Sequence, residues 1–316
     1  MKQYNWGIIG PGKIAHKFAE GLRAVPSAHL CGVASTSRER AREFAAAYHA
    51  ETLYDSYEEL VRDPAIDVVY VATTNNSHFE LARLCMEHGK ACLCEKPLCL
   101  TLAQYDELHA LSQKYNVFLM EALWTRFLPS IQVIDDCIQQ GKIGKIQNIM
   151  VDFGFEASPE TLRLFLPELG GGALFDIGIY PLFLVLHLLG EPQKIEKQIQ
   201  KTSQGVDIDN EIQFYYNSGA AATMAVSFMR KLPCTAIIQG SEGRIEMRRM
   251  WHCPCEIYAY ENSGARETIT PEYCGNGYNY EIEEVHKCLL EGRRESEKLP
   301  FSFSRLLGQY IAVLKE

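Results

Sequence analysis

Lys96 stands in an unusual place. It follows the run Ala91-Cys92-Leu93-Cys94-Glu95 and is followed at once by Pro97. A short run of that kind reads as a buried strand. Proline cannot donate to a strand ladder, so the strand should stop there. Lysine is rarely buried unless paired or working. Lys96 is therefore expected at the carboxyl end of a strand, where open α/β sheets bind ligands. The plain alternative is a solvated lysine paired with its neighbour Glu95. A second group lies far along the chain, where Gly170-Gly171-Gly172 leads into Asp176 and Tyr180. Three glycines remove the side chains that would keep a backbone or a ligand away. Asp176 and Tyr180, spaced i, i+4, share one face if the segment is helical. A nearby cation lowers a phenol's pKa by stabilising the phenolate, which brings a tyrosine toward the range useful for general acid–base catalysis. Lys96, Tyr180 and Asp176 thus form a candidate acid–base set. The alternative for the second group is a glycine loop and a helix start with a structural aspartate.

A third motif sits near the start. Asn5-Trp6-Gly7-Ile8-Ile9 reads as a strand that opens into Gly10-Pro11-Gly12-Lys13-Ile14-Ala15. Apolar residues then recur at helical spacing through Ile14, Phe18 and Leu22. Strand, glycine turn and helix in that order predict a dinucleotide site: Gly10 for the tight turn, Gly12 for close approach to a pyrophosphate, Ala15 for helix packing on strand. An NAD site wants Asp or Glu at the end of the second strand to hold the ribose hydroxyls. Here that end is Ser35-Thr36-Ser37-Arg38. Hydroxyls and an arginine suit a 2′-phosphate, so Ser35, Thr36 and Arg38 point to NADP, with NAD possible. The same residues also suit a cap for the helix that follows.

These motifs need positioning elements, and the patterning supplies them. Strands and helices alternate through residue 122, with Asp67 to Ala72, Ala91 to Glu95 and Val117 to Glu121 as further strands. That is a doubly wound, mostly parallel Rossmann sheet. Thr73 to His78 form a polar segment at a strand's carboxyl end. After residue 122 the pattern changes to hairpin signals such as Asn217-Ser218-Gly219. The chain is thus expected to be an α/β protein of two domains: a dinucleotide-binding domain, 1–122, and an α+β domain, 123–316, with a large mostly antiparallel sheet that binds substrate and dimerises. A net charge of −9 and no dense Lys/Arg run argue against a nucleic-acid partner. The apolar run Ile179 to Leu189 is too short to span a bilayer and is interrupted by Pro181 and His187, and the N-terminus lacks a signal-peptide apolar region. Eleven scattered cysteines fit reduced thiols and a cytoplasmic location. Cys253 and Cys255, near His252, are spaced C-x-C with no second pair, so no metal site is expected.

Taken together, the glycine turn, Thr74 and Asn75 with His78, Glu95-Lys96-Pro97, Met120 to Phe127 and the Gly170 to Pro181 run resemble the Gfo/Idh/MocA oxidoreductases. The branch most resembled is that of the dimeric dihydrodiol dehydrogenases and NADP-dependent D-xylose dehydrogenases. The resemblance implies that Lys96 hydrogen-bonds the reacting hydroxyl, that Tyr180 is the general acid/base and that Asp176 orients the site. It implies cofactor contacts from Lys13, Ile14, Thr74, Asn75, His78, Glu95 and Lys96 as well. Trp124, Arg126 and one of Phe153 or Phe155 are placed at the cofactor and substrate pocket. The position of Tyr180 is usually a histidine in the wider family, which moves the reading away from inositol dehydrogenases. Thr36 stands where the branch often has an arginine, and Arg38 is its candidate substitute. The expected substrate is an aldopyranose such as xylose or glucose, or a cyclic trans-dihydrodiol, and the expected assembly is a homodimer through the C-terminal sheet. The rival readings are a non-catalytic NADP(H) sensor and a reductase of an imine or tetrapyrrole.

Overall fold

The computed structural model describes residues 2–316. They form two compact units: the chain up to Phe127 together with Cys274–Gln309, and Leu128–Tyr273 together with Tyr310–Glu316.

The first unit is built on a parallel sheet of six strands, β1 (Tyr4–Ile9), β2 (Ala28–Ala34), β3 (Thr52–Tyr54), β4 (Val68–Val71), β5 (Ala91–Glu95) and β6 (Leu119–Ala122). Their order is β3-β2-β1-β4-β5-β6. The chain winds outward from β1 in both directions, so the strand order reverses between β1 and β4. Between strands run helices α1 (Lys13–Arg23), α2 (Arg38–Tyr48), α3 (Tyr57–Arg62), α4 (His78–Glu87) and α5 (Leu102–Tyr115). The strands are continuous apolar runs because both faces are covered; Ile8, Ile9, Val68, Val69, Val71, Cys92 and Cys94 are all fully buried. Helix starts follow local chemistry. The Ser37 hydroxyl accepts from Arg40 N, Ser56 from Glu59 N, and Thr101 with Gln104 forms a capping box. Residues 52–54 pair with β2 as a short edge strand. The polar cap at Ser56 then starts α3 at Tyr57.

A late segment joins this unit. Helix α8 (Asn279–Leu290) packs on α1 and on the turn Trp124–Phe127. A division after residue 122 assigns α8 to the later half; its contacts place it with the early one. Trp6 Nε1 donates to His286 Nε2 at 2.9 Å, leaving His286 Nδ1 to donate to the Ser27 hydroxyl at 2.9 Å.

The second unit carries strands β7 (Ile146–Gly154), β8 (Lys194–Lys201), β9 (Asp207–Tyr215), β10 (Ala221–Ser227), β11 (Ala236–Gly240), β12 (Gly243–Met247), β13 (Ile257–Glu261) and β14 (Arg266–Ile269). Their order is β14-β13-β12-β11-β7-β10-β9-β8, and only β7 with β10 runs parallel. Helix α6 (Pro129–Gln139) precedes the sheet and α7 (Ile179–Leu189) lies against β7 and β10, while α9 (Phe301–Lys315), which ends the chain, has its residues through Gln309 in the first unit and the rest in the second. The apolar stretch is longer than the run seen in the sequence: Pro167–Leu189 is helical enough, long enough and apolar enough to cross a membrane by length and composition. Within its unit it is a core helix instead, with every residue from Ile179 to Leu186 buried.

Candidate active site

The glycine turn leaves β1 at the point where strand order reverses. Gly10 adopts φ +84°, and a Cβ there would press on the Ala72 carbonyl at 2.9 Å, so only glycine fits. Gly12 is the N-cap of α1 with no side-chain cap, and a Cβ on it would meet open space. The first turn of α1 holds no acidic side chain. Uncapped N–H groups facing open space suit a pyrophosphate. Lys13 is exposed and Ile14 half-buried beside it. These residues fit a dinucleotide.

At the end of β2 no carboxylate intrudes. The Ser35 hydroxyl accepts from Ser37 N at 3.1 Å. Arg38 turns to Asp55, Nε to Oδ1 3.5 Å. Arg40 reaches Thr36 instead, Nη2 to Oγ1 3.4 Å. The i, i+4 spacing of Thr36 and Arg40 on a helix start was the available signal for this residue.

The Lys96 turn is held from four sides. Lys96 is half-buried and its peptide bond to Pro97 is cis. Lys96 N donates to Glu95 Oε2 at 3.3 Å, and the Tyr70 hydroxyl donates to Glu95 Oε1 at 2.5 Å. His78 Nδ1 lies 2.8 Å from the Pro97 carbonyl and Nε2 3.2 Å from the Thr73 carbonyl. Leu98 N donates to Glu121 Oε1 at 2.7 Å. Burial lowers the His78 pKa, with the adjacent Lys96 ammonium acting in the same direction and the two carbonyls against it. A neutral ring then carries its proton on Nδ1 for the shorter bond.

His78 is fully buried and Glu95 is buried against Tyr70. Both are tied to the turn that carries Lys96. Thr74 is exposed and its hydroxyl donates to Asn76 Oδ1 at 2.7 Å, while Asn75 opens a single turn before α4. Trp124 is buried and stacks on Tyr278 with centroids 4.5 Å apart and planes within 6°. Arg126 is half-buried, its Nε donating to the Lys298 carbonyl at 2.8 Å. Tyr278 was invisible beforehand because no local motif marks it.

In the second unit Gly171 and Gly172 serve the protein's own packing. A Cβ on Gly171 would lie 2.7 Å from the Leu164 carbonyl, and one on Gly172, at φ +130°, would run into Asp207 Oδ1. Asp207 Oδ2 accepts from Leu174 N at 2.7 Å. The chain then makes a π-helical turn, Leu174–Gly178, that runs directly into α7. Such turns are rare and are frequent at functional sites. Asp176 lies on that turn, paired with Arg163 at 3.0 Å. Tyr180 lies in the first turn of α7 and is 7% exposed. Its ring is 5.9 Å from Phe153 and 5.3 Å from His252, and Phe153 stacks on His252 at 4.1 Å. Phe155 packs on Phe228 instead, centroids 5.5 Å apart, so Phe153 is the phenylalanine at Tyr180. His252, weighed from sequence only as part of a metal half-site, is an aromatic neighbour of Tyr180. Among the described residues no group of three or more His, Cys, Asp or Glu side chains could hold a metal.

Lys96 thus belongs to the first unit, and Tyr180, Asp176, Phe153 and His252 to the second. Comparison with known proteins agrees with this chemistry. Residues 4–123 match the GFO_IDH_MocA model, described as an oxidoreductase family with an NAD-binding Rossmann fold, and residues 131–246 match the GFO/IDH/MocA C-terminal domain. The chain is 33% identical to the mouse (Mus musculus) trans-1,2-dihydrobenzene-1,2-diol dehydrogenase, covering 97% of this chain and 94% of that one. It is 35% identical to the enzyme of that name from Xenopus tropicalis, over 97% of this chain and 95% of that one. Among solved structures, a 3-ketoreductase from Actinomadura kijaniata in complex with NADP and TDP-benzene superposes with a TM-score of 0.88 at 22% identity, covering 99% and 97% of the two chains. An aldose-aldose oxidoreductase from Caulobacter crescentus complexed with glycerol superposes with a TM-score of 0.88 at 22% identity, covering 99% and 96%. Those two likenesses speak to the fold. The glycine turn, the Lys96 turn and the two family matches lead to one conclusion: the chain belongs to the GFO/IDH/MocA family of oxidoreductases and is an NAD(P)-dependent dehydrogenase.

Proposed function

We propose that this protein transfers a hydride between NADP and a secondary alcohol or sugar, the substrate being a cyclic trans-diol or an aldopyranose such as xylose or glucose. The observation that carries this reading is the Lys96 turn: a half-buried ammonium at the carboxyl edge of a parallel sheet, its backbone fixed by Glu95, His78 and Glu121. A solvated surface lysine has no need of such support. The names of the relatives support the diol, and the names of the solved neighbours support a sugar.

Bound nicotinamide supplies the redox chemistry. In oxidation the Tyr180 phenolate would take the substrate's O–H proton and become the phenol, while bound NADP⁺ would supply the acceptor for the carbinol hydride, leaving a carbonyl; in reduction the Tyr180 phenol would return that proton to the carbonyl oxygen as NADPH supplied the hydride. Lys96 hydrogen-bonds the reacting oxygen and stabilises charge that develops on it. Asp176, held by Arg163, orients the segment that carries Tyr180. Phe153 and His252 pack on the Tyr180 ring and limit its rotation. NADP is favoured over NAD by the absence of a carboxylate in Ser35 to Ser37 and by the arginines that follow. Free, mostly buried thiols support a cytoplasmic setting.

The test follows reduced-nicotinamide absorbance against panels of sugars and trans-diols. Tyr180→Phe should lower turnover by roughly 10²-fold or more with cofactor affinity nearly intact. Wild-type turnover in that variant removes Tyr180 from the reaction. Tight NADP(H) binding with no turnover on any substrate favours a sensor instead.

A further inference from the structure

Glu121 has no part in the proton transfer proposed above, yet it is 1% exposed and sits directly behind the lysine turn. It lies on β6, paired in register with Cys94 of β5. Its Oε1 takes the Leu98 amide proton at 2.7 Å, two residues beyond Lys96. The other supports of the turn are Glu95, which accepts from Tyr70, and the buried His78 ring. Burial pushes the Glu121 carboxyl up to about 7, the Leu98 N–H, the Ser304 hydroxyl and the Lys96 ammonium acting against the rise and Glu95 with it. The other titratable groups that face it are Cys94, Cys99 and Tyr105. All three are pushed up by burial and stay neutral at working pH. Glu95 and Lys96 are therefore the charges that Glu121 meets.

We propose that Glu121 is a positioning residue that clamps the Lys96 turn through the Leu98 amide, firmly as a carboxylate and loosely as a neutral acid. A charge-assisted hydrogen bond is roughly twice as strong as a neutral one. Ionisation also adds a negative charge that attracts the Lys96 ammonium. The turn is then most rigid above neutrality and loosens as protons bind. The effect on turnover rests on the dehydrogenase reading; the clamp itself does not.

Two measurements on the full chain separate these. The first is the Leu98 amide in ¹⁵N-leucine-labelled wild type. Its shift should titrate with a midpoint near 7, and its protection against exchange, corrected for intrinsic rate, should be about tenfold greater at pH 8 than at pH 6. A shift and protection that stay flat across that range overturn the proposal, whatever the activity. The second compares the kcat and KM pH profiles of wild type with Glu121→Gln, which keeps an acceptor for Leu98 N but cannot ionise. Wild-type kcat should fall about tenfold from pH 8 to pH 6 with KM little changed, and the variant should lack that limb. The same limb in the variant overturns the role in turnover. An amide that titrates in a protein that turns over no substrate upholds the clamp and defeats the dehydrogenase reading instead.

Discussion

His78 and Glu95 both hold the Lys96 turn. Each is a residue type that often meets a ligand, yet each is bound to the backbone beside Lys96. The reason is burial: a polar group with no access to water must find its partner in the fold. The same distinction separates the two arginines after β2. Arg38 is drawn to Asp55 while Arg40 lies beside the Thr36 hydroxyl. A 2′-phosphate at Thr36 therefore meets Arg40 first. Arg40→Ala should raise the NADP dissociation constant about tenfold while changing that of NAD less than about twofold. Arg38→Ala should have the smaller effect on NADP. Titration calorimetry with both cofactors checks this, and an equal loss for NADP and NAD in Arg40→Ala would show that the guanidinium sees no phosphate.

Among the elements, α8 is the one whose position matters most. It brings Tyr278 to Trp124 and His286 to Trp6. The His286 ring accepts from an indole that can only donate, so the ring is neutral in the fold. Burial lowers its pKa from 6.5 to about 4, with Asp67 pulling slightly upward. The unfolded chain thus binds a proton between those values that the folded chain does not. Stability from this group is full above pH 6.5 and is lost as pH falls toward 4. Urea midpoints should drop between pH 7 and pH 5 in wild type. In His286→Gln that drop should shrink, even though the variant starts from a lower midpoint at pH 7. An unchanged drop in the variant would assign the acid limb to other groups.

At the scale of the whole molecule the question is assembly. The strand register aligns Gln213, Thr223, Met150, Ile237, Glu246, Tyr258 and Thr268 across the second unit's sheet. Met150, in the middle strand, is 43% exposed. Its strand neighbours Ile149 and Val151 are buried on the opposite face. We propose that this outer face pairs with a second copy. Wild type should sediment as a dimer, and Met150→Glu should shift it toward monomer with an unchanged circular dichroism spectrum, since the side chain faces outward. A wild type that is monomeric at every concentration tested sinks the proposal.

The local signals in the sequence determined a great deal. Apolar runs of strand length, helical periodicity and the glycine turn determined an α/β first unit, and the Asn217-Ser218-Gly219 turn marked the β9–β10 hairpin. Lys96 and Pro97 placed a lysine at a strand end because proline ends ladders whatever the surroundings. Tertiary structure decided what those signals could not carry. Which carbonyl His78 meets, which amide Glu121 meets and which ring Tyr278 meets depend on strands and helices distant in sequence. The return of α8 to the first unit and the filling of the Gly171 and Gly172 spaces by Leu164 and Asp207 are decisions of the same kind. Backbone preference is a property of a few neighbouring residues; the partner of a buried polar group is a property of the packed whole.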